Sequence, residues 1–138
     1  MSNLAHLLAA YRKHPAVLKI VQHLKSPSPV SRIQLKGLTG AQESFVLAAA
    51  AEAGQSHAVH LFIANSKEEA AYRHNDLEGI LPASNVHFFP DSFKRPAYFD
   101  DLHPTQMLQR SEVISKITTL ASNAPATIIV TYPEALFE

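Results

Sequence analysis

An α/β fold built on a parallel sheet is the architecture this sequence predicts, and three observations predict it. Short apolar runs of strand length alternate with longer segments of helical periodicity. Proline, glycine and serine signals separate the two kinds of segment. The composition, 46% hydrophobic and 17% charged, suits a chain that buries a core rather than one that stays disordered. Strands that alternate with helices imply βαβ units, and βαβ units imply parallel strands with helices on both faces of the sheet.

Taken in order, residues 3–24 read as helical. Leu4, Leu7, Leu8 and Tyr11 share one face, and Val17, Leu18, Val21 and Leu24 repeat the pattern. Pro15 divides this stretch in two, because a proline pushes its predecessor out of helical geometry. Ser26-Pro27-Ser28-Pro29 is a stiff break. Residues 1–30 are therefore expected to form a helical arm with a Ser/Pro linker, and residues 31–138 the α/β domain.

Arg32-Ile33-Gln34-Leu35 alternates like a short strand. A helix is expected over 44–53, with Gly54 as its C-terminal stop. Residues 58–63 read as a buried strand. Ser66-Lys67-Glu68-Glu69 is a capping-box sequence that opens a helix through about Ile80. Residues 86–89 are a further strand, and an irregular loop runs from 90 to 103. A long helix is expected over 104–121, carrying Met107, Val113, Ile114, Ile117 and Leu120. Residues 127–131 form the last strand, and Pro133 suits the first turn of a helix. That helix begins close to Glu138, so the chain reads as a fragment of a much longer protein.

Composition excludes several function classes. Twelve basic residues offset twelve acidic ones, giving a formal net charge of +0 with histidine neutral. A domain built chiefly to hold nucleic acid carries a basic excess. The absence of cysteine excludes disulfides, thiolate metal sites and a cysteine nucleophile. No apolar run approaches the roughly 20 residues that span a bilayer. The opening residues lack a signal-peptide pattern, so no membrane partner and a cytoplasmic location are expected.

The stretch GLTGAQES, residues 37–44, is the one candidate binding motif. It begins like a phosphate-binding loop, G-x-x-x-x-G-K-[ST], with Gly37 and Ser44 correctly spaced. Gln42 stands in place of the second glycine and Glu43 in place of the lysine. Thr39 and Gly40 fill the turn between. A phosphate loop works by aiming backbone N–H groups and a helix N-terminus at the phosphates, with the lysine meeting the terminal ones. Glu43 reverses that charge. At ~4 Å and an effective dielectric of about 20, each unit-charge pair is worth roughly 4 kcal/mol. Attraction becomes repulsion on that scale, while the carboxylate itself suits the positive end of a helix. The site reads as dismantled: no catalytic residue and no bound cofactor are expected.

Other chemistry is weaker. Eight histidines lack a metal-ligand pairing such as H-E-x-x-H; His57 and His60 alternate to opposite faces of a strand. Asp100 and Asp101 are adjacent loop carboxylates. Ser44 reads as a helix N-terminal serine rather than a nucleophile. Arg110 reads as a structural residue in the long helix. Lys94 and Arg95 form the best basic pair and are candidate partner contacts, as are Leu136 and Phe137.

Over residues 34–136 the chain resembles the first domain of bacterial transcription-repair coupling factors, which is itself similar to the first domain of excinuclease B. The resemblance rests on GLTGAQES, HLFIANSKEEAAYRHNDLEGIL, VHFFPDSF, QRSEVISKI and TIIVTYPEAL, in the family's order and with similar spacing. It implies a parallel sheet of the P-loop NTPase or helicase type whose nucleotide site is degenerate. ATP and magnesium would then belong to later motor domains of the parent, which also engage DNA. RNA polymerase and excinuclease A would be met through other domains, and the neighbours of this domain would be its direct partners. Residues 90–110 leave no room for the aromatic-rich DNA-prying hairpin of excinuclease B. The rival expectation is an ATPase or helicase domain that binds nucleotide with an unusual phosphate loop.

Overall fold

The computed structural model describes residues 3–25, 32–54, 59–92, 103–120 and 124–137. Two helices come first, α1 (Asn3–Lys13) and α2 (Pro15–Lys25). The proline break between them is tight: His14 N–H donates to the Tyr11 carbonyl at 3.0 Å, and Ala16 N–H donates to His14 Nδ1 at 3.2 Å. Then follow α3 (Gln42–Gly54), β1 (Val59–Ile63), α4 (Lys67–Ile80), a 3-10 turn (Ala83–Asn85), β2 (Val86–Phe88), α5 (Pro104–Thr118), β3 (Thr127–Thr131) and α6 (Pro133–Leu136).

The sheet has three parallel strands in the order β1-β3-β2. The last strand in sequence is the middle one in space, and all five of its residues are buried. The expected mixed α/β architecture with a parallel sheet is therefore present. The register aligns Phe62, Val130 and Phe88 across one face, with His60, Ile128 and Val86 behind them. This face meets the main core, which takes in Ala48, Ala49 and Phe45 of α3 and Ala70 and Leu77 of α4. The alanine-rich face of α3 lets that helix sit close to its neighbours, because small side chains permit a near approach.

Both helices of the N-terminal arm pack on α3. Leu8, Val17 and Val21 belong to the same buried cluster as the sheet, and the Tyr11 ring stacks on Phe45 at 5.2 Å. On the opposite sheet face α5 packs against β2, and Val113 and Ile129 are buried there outside the main cluster. Coverage stops short of β1: Val59, Leu61 and Ile63 remain 42%, 53% and 53% exposed. The expectation of a sheet covered on both faces thus holds for β3 and not for β1.

Three further expectations need correction. Residues 32–35 do not pair into the sheet; Ile33 and Leu35 are about half exposed on an unpaired segment. Four alternating residues satisfy strand periodicity locally, but pairing needs a free edge within reach. Both edges of β3 are taken by β1 and β2, and a cavity separates the outer side of β1 from this segment. The capping box also forms differently. The Ser66 hydroxyl accepts from Glu69 N–H at 3.1 Å, as the motif requires, but the Glu69 carboxylate reaches back to Asn65 N–H at 2.9 Å. α5 ends at Thr118, earlier than its periodicity suggested, with hydroxyls of Thr118 and Thr119 back-bonding to Ser115.

Candidate functional site

The loop at residues 37–44 delivers the chain into α3, which begins at Gln42. Gly37 and Gly40 have φ of 78° and 57°, a region that L side chains rarely adopt. A Cβ at either would meet nothing within 4 Å. Both glycines serve the turn itself, through their positive φ.

Two backbone donors of the loop, those of Thr39 and Gln42, are occupied from within. Gln42 folds back so that its Oε1 accepts from Thr39 N–H at 2.8 Å, and the Thr39 hydroxyl points to the same oxygen at 3.4 Å. The Gln42 N–H in turn donates to the Thr39 carbonyl at 3.2 Å. Ser44 is fully buried, with its hydroxyl 3.5 Å from Asp76 Oδ2. That position keeps it away from solvent.

Glu43 meets a cation supplied by the protein. Arg73 of α4 lies 3.2 Å from the Glu43 carboxylate, 3.6 Å from Asp76 and 3.9 Å from Glu69, and its Nη1 donates to the Gly40 carbonyl at 2.8 Å. Glu69, Arg73 and Asp76 fall at i, i+4 and i+7, so one face of α4 presents all three toward the start of α3. Three carboxylates around one guanidinium leave a local excess of negative charge when all are ionised. The electrostatics at this helix N-terminus are thus the reverse of those of a phosphate site.

A cavity of about 530 Å³ adjoins the loop. Leu24, Leu35, Val46, Leu47 and Phe62 line its apolar walls, while Glu43 and Glu69 stand at its polar end. His60 also faces it. Its Nε2 is buried with no hydrogen-bond partner among the described residues, and burial lowers its pKa below the ordinary 6.5. His87 on β2 is similar: burial, and after it the nearby Lys116, lower its pKa.

A second polar cluster sits at the C-terminal ends of the strands, and sequence reasoning missed it. Tyr132, at the end of β3, donates its hydroxyl to Asp91 Oδ1 at 2.5 Å and accepts from Asp91 N–H at 2.9 Å. Lys67 joins the same carboxylate at 2.9 Å. Burial alone would raise the Asp91 pKa, but the Tyr132 hydroxyl and the Lys67 ammonium outweigh it and hold the group below its ordinary value. Arg110 donates to the carbonyls of Pro90 and Ala135 and lies 4.3 Å over the Phe89 ring. The sequence suggests a structural ion pair for Arg110; these contacts are to two carbonyls and an aromatic ring. Tyr132 is 1% exposed, so the cluster clamps the exits of β2 and β3 together. A tyrosine after an apolar strand and an aspartate forty residues earlier give no shared sequence signal.

Of the remaining candidates, Leu136 and Phe137 are 41% and 89% exposed beside α6. Lys94, Arg95, Asp100, Asp101 and His57 lie outside the described residues. Among the described residues no group of three or more histidines and carboxylates is placed to hold a metal ion, and no helix is long and apolar enough to cross a membrane. No family model, curated protein or solved structure matches this chain.

Proposed function

We propose that the chain is a non-catalytic structural and interaction domain of a transcription-repair coupling factor, with its phosphate loop retired. The family part of this reading rests on the motif order described above. The inactivity is supported by one observation: Arg73 pairs with Glu43 where a nucleotide site would offer a lysine to phosphate. A phosphate entering here would displace the Gln42 contact and meet Glu43, Glu69 and Asp76. Among the described residues, 32–36 lead into the loop without pairing into the sheet, which counts against the rival nucleotide-binding reading because a phosphate loop follows a strand.

On this reading the parent protein's ATP chemistry, DNA translocation and contacts with RNA polymerase and excinuclease A lie in other domains. The present domain contributes a scaffold and surfaces for its neighbours, Leu136 and Phe137 among them. Isothermal titration calorimetry with magnesium-ATP tests the central point. No binding in the micromolar range is expected, and a micromolar dissociation constant would overturn the reading. The double change Gln42→Gly with Glu43→Lys should restore some phosphate affinity but no hydrolysis, since hydrolytic groups come from other segments.

A further inference from the structure

β1 is an edge strand of the sheet, with one side paired to β3. Ala64 N–H donates to the Thr131 carbonyl at 2.9 Å. In a parallel ladder the N–H and C=O of one residue point the same way and alternate along the strand. The backbone groups of Val59, Leu61 and Ile63 therefore point away from β3, and they have no partner among the described residues. Protective devices for such an edge are a proline, a lysine, a bulge or a covering helix. The sequence Val-His-Leu-Phe-Ile has no proline, lysine or bulge, and its outward residues are about half exposed. Beside this edge lies the 530 Å³ cavity, apolar along its walls and carrying Glu43 and Glu69 at the end nearest Asn65.

From these features we propose that β1 accepts an added strand from a partner peptide, one with apolar side chains at alternate positions and a lysine or arginine at the end that reaches Glu43 and Glu69. The backbone of the peptide completes the hydrogen bonds of Val59, Leu61 and Ile63. Side chains on one of its faces drop into the cavity, since alternate residues of an added strand fall on the covered side. The cation is selected by charge: Glu43, Glu69 and Asp76 share a single guanidinium, that of Arg73. A second copy of this chain fits less well. Its own Val-His-Leu-Phe-Ile strand already buries Phe62 in its own core and brings no cation to the acidic end.

The test uses the intact chain, labelled with nitrogen-15, and a blocked probe peptide Lys-Val-Thr-Leu-Thr-Val-Lys, with lysine at both ends so that either strand direction presents a cation. Millimolar peptide is expected to slow amide exchange at Leu61 and Ile63 roughly tenfold or more. A Glu-ended version of the peptide should bind several-fold more weakly, and alternate N-methylation of the peptide should abolish protection. Leu61→Pro removes an outward N–H while leaving the β3 ladder in place, so it should abolish binding. Leu47→Trp, which fills the cavity, should do the same. Unchanged exchange with the lysine peptide, or equal binding by the N-methylated one, overturns the proposal. So does protection of both amides without peptide in a protein that sediments as a dimer, because a second copy would then hold the edge.

Discussion

Arg73 is the residue on which the closed loop turns. Its side chain is 17% exposed and faces Glu43, Glu69 and Asp76 while also holding the Gly40 carbonyl. Arg73→Leu would leave three partly buried carboxylates without their cation. Losing a partner in such a setting is costly because the remaining charge stays desolvated. We expect a loss of about 2 kcal/mol, below the roughly 3–5 kcal/mol of fully buried pairs because the carboxylates retain some solvent, read as a lower urea midpoint at pH 7. An unchanged midpoint would show the network to be ornamental. His60 and His87 act through pH. Burial holds both pKa values below 6.5, so the unfolded chain binds more protons than the folded one as pH falls beneath that value. Stability is therefore fully present above about pH 6.5 and declines as pH drops toward the folded-state pKa values. Urea melts at pH 7.5 and 5.5 should show this decline, and the double change of both histidines to glutamine should flatten it.

At the scale of elements, the clamp between the exits of β2 and β3 carries the clearest consequence. Tyr132→Phe keeps the buried ring but removes a hydroxyl that both donates to the Asp91 carboxylate and accepts from Asp91 N–H. Hydrogen bonds to charged groups contribute about 1.5–3 kcal/mol each, so a loss of roughly 2 kcal/mol is expected. The Asp91 carboxyl should also titrate at higher pH in the variant, which carbon-13 side-chain NMR would follow. Since the native group is held low, the stability it contributes persists above its unfolded value of 3.8 and disappears as pH falls through the folded value. This clamp was invisible in the sequence because its members come from three separate elements. The elements themselves were legible. Residues 127–131 read as a strand because β-branched residues run unbroken there, and that strand is the fully buried centre of the sheet. Residues 32–35 carried an equally good local alternation and failed, because alternation says which face a residue would take and nothing about whether an edge is available. The loop at 37–44 was legible as a turn into a helix: Gly37 and Gly40 take positive φ, and α3 begins at Gln42. The cation that neutralises Glu43 was not, since Arg73 lies thirty residues away on a different helix.

For the molecule as a whole, the question is whether the N-terminal helices are an appendage or part of one cooperative core. The break at Ser26-Pro27-Ser28-Pro29 favours an appendage on sequence grounds. Packing argues the other way. Leu8, Val17 and Val21 are 4%, 2% and 6% exposed and join a buried cluster that continues through α3 to the sheet. Burying an aliphatic side chain of this size contributes about 1.5–3 kcal/mol, so these three contribute roughly 6 kcal/mol. Total stabilities of domains lie near 5–15 kcal/mol. Deleting residues 1–31 would also expose Phe45 and the alanine face of α3, which α1 and α2 cover. The shortened chain is therefore expected to lose its cooperative urea transition by far-ultraviolet circular dichroism, with the sheet region collapsing along with the missing helices. If it instead unfolds cooperatively at the midpoint of the full chain, the helices are a separate unit. The core would then be self-sufficient from α3 onward, and the burial of Leu8, Val17 and Val21 would have to be an incidental docking.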